Sequence, residues 1–129
     1  MARKEAREFA MQTLFQIDVH KDFENTDIEK YIGSKKLGNQ KDYVKTLLTK
    51  ICANIAQVDE KINSCSVNWP TTRMAKTDLA ITRIAVGEIM FLEDVPKAVA
   101  INEAVNLAKD YGTDTSAGFI NAILGKVEK

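Results

Sequence analysis

"YVKTLLTKICANIAQVDEKI", residues 43–62, carries apolar side chains at Tyr43, Leu47, Ile51, Ile55, Val58 and Ile62. Steps of three and four residues place all of them on one face of an α-helix, whereas a half-buried strand would need them at every second position. The spacing predicts one long helix over residues 40 to 64, with Leu48 and Cys52 widening its buried face. Such a stripe must be covered by other elements, and the flanking sequence has to supply them.

On the C-terminal side, "SVNWPTTR" (66–73) interrupts the pattern, because Pro70 has no N–H to donate and disfavours helix at Trp69. Trp69 is expected to pin this connection to the core. "TDLAITRIAVGEIMFLEDVP" (77–96) then resumes with Leu79, Ala80, Ile84 and Ile89 and the apolar flank of Ile81, Val86 and Met90. This predicts a helix buried on most sides and ended by Pro96. "KAVAINEAVNLAKDYG" (97–112) gives another helix through Val99, Ala104, Val105, Ala108 and Tyr111, with Gly112 placed to close it in a left-handed conformation. In "TDTSAGFINAILGKV" (113–127), Thr113, Asp114, Thr115 or Ser116 can cap a last helix carrying Phe119, Ile120, Ile123, Leu124 and Val127.

On the N-terminal side, the loop "GSKKLGNQK" (33–41) breaks the chain with two glycines and an asparagine. Before it lies a short amphipathic piece over residues 28 to 32, capped by Asn25, Thr26 or Asp27. The recurrence of Ala6, Ala10, Thr13, Leu14 and Ile17 predicts a first helix over residues 3 to 19. No segment alternates with period two for long. The expected fold class is therefore all-α, a single compact domain over residues 1–129 built from six or seven helices.

The 18 basic and 18 acidic side chains cancel, so a polyanion would have to be attracted by a local patch and not by the field of the whole molecule. Weak binding alone is expected. The charged start and the lack of a membrane-length apolar run predict neither signal peptide nor anchor, hence a cytoplasmic protein. Cys52 and Cys65, with one histidine, are too few for a structural zinc site, so no metal is expected and both read as buried thiols. There is no phosphate-binding glycine loop and no nucleophile motif, which argues against an enzyme and against a cofactor. Asn102 and Glu103 stand in the first turns of their helix, where an amide and a carboxylate serve the backbone and its dipole.

One constellation remains. On the first helix Lys4, Met11 and Phe15 fall within about 40° of one another, with Arg3 and Arg7 between them and the buried stripe. Cations can hold phosphates while an exposed aromatic ring stacks on an unpaired base. The competing reading is a solvated helix start with Phe15 folded into the core.

"RKEAREFAMQTLFQ" (3–16), "AITRIAVGEIMF" (80–91), "DVPKAVAINEAVNLAKDYG" (94–112) and "SAGFINAILGKV" (116–127) together resemble the NusB family of bacterial transcription antitermination factors. The resemblance implies an all-α fold of two helical subdomains packed about the first helix. It also implies binding of the boxA element of nascent RNA together with the ribosomal protein NusE. That pair, with other Nus factors in the elongation complex, helps RNA polymerase resist termination, notably on ribosomal RNA operons. By position, the resemblance puts Arg3, Lys4 and Arg7 in an N-terminal basic motif that contacts RNA phosphates. It puts Phe15 where a stacking Tyr stands, Phe119 at the Phe that begins the last helix, and Gln12 among the RNA-contacting residues. Asp78 matches an acidic position of the surface that meets NusE.

The chain departs from the family pattern at Glu5, where a third consecutive basic residue is frequent, at Thr115 in place of an Asp, and at Ala117 and Gly118 in place of a His-Lys pair. RNA binding is accordingly expected to lean on the partner. A related helical domain fronts some ribosomal RNA cytosine methyltransferases, but no cofactor-binding α/β pattern occurs here. A helical protein interaction module without RNA contact is the other alternative, and it predicts that charge changes at Arg3, Lys4 and Arg7 are silent.

Overall fold

The computed structural model describes residues 1–128, so Lys129, the last residue of the expected domain, lies outside them. Seven α-helices follow in order: α1 (Arg3–Val19), α2 (Ile28–Ile32), α3 (Lys41–Ala53), α4 (Ile55–Cys65), α5 (Lys76–Phe91), α6 (Lys97–Tyr111) and α7 (Ser116–Gly125). Single 3₁₀ turns at Gly38–Gln40 and Thr71–Arg73 lead into α3 and towards α5. Among the described residues there is no strand, as the lack of period-two alternation requires.

Helix α5 is the axis of the fold. Every residue from Leu79 to Ile89 is buried, because the helix packs against α1, α3, α4, α6 and α7. It packs tightly on α3 at Gly87, where an added Cβ would lie 2.5 Å from Ile51 Cδ1 and 3.1 Å from Leu47 Cδ1. Helix α6 is sandwiched between α5 and α7, and α2 packs on α3. The stripe on α1 faces inward as its spacing predicts: Ala6, Ala10, Thr13, Leu14 and Ile17 are all buried.

Several expectations need correction. The helix predicted over residues 40 to 64 is two helices, divided at Asn54, whose φ of −126° and ψ of 29° leave the helical region. Its side-chain Nδ2 donates to the Lys50 carbonyl at 2.8 Å and its N–H reaches both Lys50 and Ile51 carbonyls, so the asparagine closes one helix while its own carbonyl accepts the first bond of the next, from Val58 N–H. Pro96 does not end α5, which stops at Phe91; it stands at the start of α6, where a missing N–H costs nothing.

Trp69 is 40% exposed, with the Arg73 guanidinium 4.4 Å above its ring, and does not pin its loop to the core. Val99 and Tyr111 are also exposed, and the buried face of α6 runs instead through Ala100, Ala104, Leu107 and Ala108. Gly112 is not left-handed: its φ is −95°. A Cβ there would meet Ser116 Oγ and Cβ at 2.6 Å, so glycine is needed for the close approach of α7. Thr115 occupies the cap position of α7 without a side-chain capping bond to the helix, and Ser116 Oγ accepts the Thr113 N–H at 2.9 Å.

Candidate nucleic-acid interface

The first turn of α1 projects its charges in different directions. Glu5 accepts the Ala2 N–H at 3.0 Å through Oε1, which satisfies one of the donors that a helix start leaves open and sets a carboxylate at the positive end of the dipole. Lys4 is exposed. Arg3 is half-buried; its Nε donates to Gln40 Oε1 and its guanidinium lies 4.0 Å above the Tyr43 ring. Stacking on an aromatic face holds the charge at the surface while leaving its other side open to an anion.

Arg7 departs from the sequence reading. Its side chain is 5% exposed, and it forms two parallel bonds to Glu88, Nε to Oε1 and Nη2 to Oε2, both 2.8 Å. Its Nη1 lies 3.6 Å from Glu103 Oε2. Burial alone would favour the neutral guanidine, but the bonds and charge of Glu88 outweigh it and hold Arg7 above its ordinary range. The Tyr43 hydroxyl, buried beside this pair without an aligned hydrogen bond, is pushed above the usual phenol range by burial and then by Glu88. Arg7 is thus occupied by Glu88 inside the protein, although it still lines an open pocket with Arg3 and Lys4; a lone acid in the apolar run of α5 was the signal for its partner. Glu103 does not serve the helix start as its position suggested: the first turn of α6 holds no acid, and Glu103 faces Arg7 instead.

A second buried pair sits at the other end of α1. Arg83 of α5 makes two bonds to Asp59 of α4, at 2.9 and 2.8 Å. Its Nη1 lies 3.1 Å from Asp18 Oδ2 near the end of α1. Phe23 stacks on the same guanidinium at 5.0 Å.

Between these anchors the outer face of α1 borders an open groove lined by Met11, Gln12, Phe15, Gln16, Thr77 and Tyr111. Phe15 is half-buried, with part of its ring against the core and part lining this groove. Met11, expected on the same outer flank, is 2% exposed and belongs to the core. Gln12 is exposed, and its Nε2 lies 3.4 Å from the Tyr111 hydroxyl, which itself donates to Glu8 Oε2 at 2.8 Å. Sequence reasoning missed Tyr111 by assigning it to the buried stripe. Its place as the last residue of α6, just before Gly112, was the available signal.

Asp78 is half-buried in the first turn of α5, next to the groove residue Thr77. Phe119 is half-buried on α7, which packs against α6, α5 and α4. The structure therefore brings Gln12, Phe15 and Tyr111 to one groove, and gathers Arg3, Lys4 and the largely buried Arg7 about a second open pocket at the start of the same helix. Among the described residues, no cluster of His, Cys, Asp and Glu could hold a metal, and no helix is long and apolar enough to cross a membrane. Cys52 and Cys65 are both buried, and burial pushes the Cys52 thiol up.

Comparison with known proteins gives a consistent result. The model of the NusB family matches residues 4–129. The transcription antitermination protein NusB of Alkaliphilus oremlandii is 39% identical over 127 residues, 98% of this chain and 92% of its own length. Among solved structures, NusB of T. maritima superposes with a TM-score of 0.87 at 28% identity, covering 98% of this chain and 90% of that one. A NusB in complex with NusE and dsRNA superposes with a TM-score of 0.80 at 21% identity, covering 97% and 94%.

Proposed function

The chain belongs to the NusB family, and on that premise we propose that it is a non-enzymatic transcription antitermination factor of the cytoplasm. It binds boxA RNA together with the ribosomal protein NusE and, with other Nus factors, helps RNA polymerase resist termination, notably on ribosomal RNA operons. Residues 1–129 act as one RNA-binding domain. NusE and RNA are carried over from the family, since a likeness at 21% identity speaks for the fold alone.

The observation that supports this reading best is the layout of α1. Exposed Lys4 and the stacked guanidinium of Arg3 stand at its start, and the open side of Phe15 faces a groove further along. Cations for phosphates and a ring for a base are the two parts that unpaired RNA requires. Phe119 serves as a second ring on α7, and Asp78 contributes to the NusE surface. With only two surface cations in the motif and no net charge, RNA is held weakly until NusE joins. Titration of boxA RNA with and without NusE tests this: NusE should tighten binding at least tenfold, about 1.4 kcal/mol. Equal affinities would exclude the adaptor role.

A further inference from the structure

Glu8, Tyr111 and Gln12 form a hydrogen-bonded chain across the α1–α6 contact, beside Phe15. The Tyr111 hydroxyl gives its only proton to Glu8 Oε2 at 2.8 Å. Its oxygen can then only accept, and the Gln12 carboxamide, 3.4 Å away, must turn its NH₂ end towards it. A glutamine amide free in water flips between two orientations that interchange donor and acceptor. Here the carboxylate of Glu8, acting through a phenol, selects one of them, and the Gln12 carbonyl is directed away from Tyr111.

Resting on the RNA-binding reading above, we propose that Tyr111 is a positioning residue that fixes the Gln12 amide, so that the base stacked on Phe15 is selected for an amino group next to a ring-nitrogen acceptor, as cytosine presents. Adenine and cytosine present an amino group beside a ring-nitrogen acceptor. The locked amide matches that order, its carbonyl accepting from the amino group and its remaining N–H donating to the ring nitrogen. Uracil carries a carbonyl where cytosine carries its amino group, and its ring N–H and second carbonyl repeat the matching order only one position along the edge, so with its ring held on Phe15 it sets a carbonyl against the carbonyl of the locked amide. Tyr111 is 41% exposed and lines the same groove as Gln12 and Phe15, so its hydroxyl can act on the amide without standing between it and a base.

The test uses the full chain and fluorescent single-stranded octamers of cytidine and of uridine, two pyrimidines with similar stacking faces, with an adenosine octamer as a third probe. The parent should bind the cytidine octamer about tenfold tighter than the uridine octamer, as expected when one hydrogen-bonded pair is matched or mismatched. Tyr111→Phe, which keeps the ring and removes the hydroxyl, should bring the ratio within about threefold, mainly by improving uridine binding. Glu8→Leu should do the same, because the phenol regains a proton to offer the amide carbonyl. Gln12→Ala should erase the preference outright. Phe15→Ala should weaken the three octamers in parallel.

A parent without preference, or a Tyr111→Phe variant that retains it, overturns the positioning role alone. Failure of all three octamers to bind even when NusE is added at saturation, or indifference of binding to Phe15→Ala under the same conditions, overturns the RNA reading and the positioning role with it. Thermal unfolding of Tyr111→Phe accompanies the titrations, and a ratio that collapses only in a variant with a lowered melting temperature also counts against the proposal.

Discussion

Arg7 and Glu88 lie side by side inside the protein, joined by two bonds of 2.8 Å that connect the second turn of α1 to the last turns of α5. The pair explains why a residue of the basic N-terminal motif is spent on the fold. Removing one member leaves a buried charge without a counterpart, while removing both leaves an apolar gap that aliphatic side chains can fill.

Arg7→Ala should therefore lower the unfolding free energy by about 3–5 kcal/mol. The double variant Arg7→Met/Glu88→Leu should recover most of that loss. Urea denaturation followed by circular dichroism measures both, and a double variant no better than the single one would show that the charges themselves hold the helices together.

Salt dependence separates the surface cations from the buried one. If Lys4 meets a phosphate of single-stranded RNA, Lys4→Ala should reduce the slope of log affinity against log salt by about 0.7. Arg3→Ala should act similarly. Arg7→Lys, in the fraction that remains folded, should leave the slope unchanged. A flatter slope for that variant would return Arg7 to the RNA contacts.

If Phe15 stacks on a base with the side of its ring that the core leaves open, Phe15→Ala should register in both binding and stability. RNA binding should weaken by about 1–3 kcal/mol through lost stacking. The half-buried ring should cost less stability than the ~3–5 kcal/mol of a fully buried phenylalanine. RNA titration and thermal unfolding on one preparation decide the matter; a full core penalty with normal RNA affinity would end the stacking role.

Glycines at two helical positions should respond in opposite senses. Gly87→Ala drives a methyl group to within 2.5 Å of Ile51 Cδ1 and should destabilise the fold by about 1–3 kcal/mol. At Gly118, on α7, an added Cβ meets nothing within 4 Å, so Gly118→Ala should stabilise by up to about 1 kcal/mol through helix propensity. Melting temperatures of the two variants should fall on either side of the parent.

What could be read in advance was periodicity. The stripes of α1, α5 and α7 follow directly from apolar spacing, and so does the all-helical class. The break at Asn54 was illegible because the step from Ile51 to Ile55 is still four residues, and the stripe crosses the break undisturbed. The burial of Arg7 was illegible for another reason: its partner lies 81 residues away, and local pattern assigns a cation on a helix to solvent. Tyr111 was misread because the last residue of a helix can keep the phase of a buried stripe after the core beneath it has ended. Helical spacing singled out Arg3, Lys4, Arg7 and Phe15, and family resemblance added Gln12, Phe119 and Asp78, but only the packing distinguishes the exposed side chains from the one that turned in.

The two ion pairs that α1 makes with α5 have opposite polarity. Near its start α1 offers a cation, Arg7, to an anion on α5; near its end it offers an anion, Asp18, to the cation Arg83. Because residue 7 meets residue 88 and residue 18 meets residue 83, the helices run antiparallel. Reversing α1 end for end would set Arg7 against Arg83 and Asp18 against Glu88, two like-charge encounters in a water-poor interior. Oily surfaces alone would tolerate either insertion. The arrangement works like a keyed plug, which enters its socket one way round, and it thereby determines which end of the molecule displays Lys4.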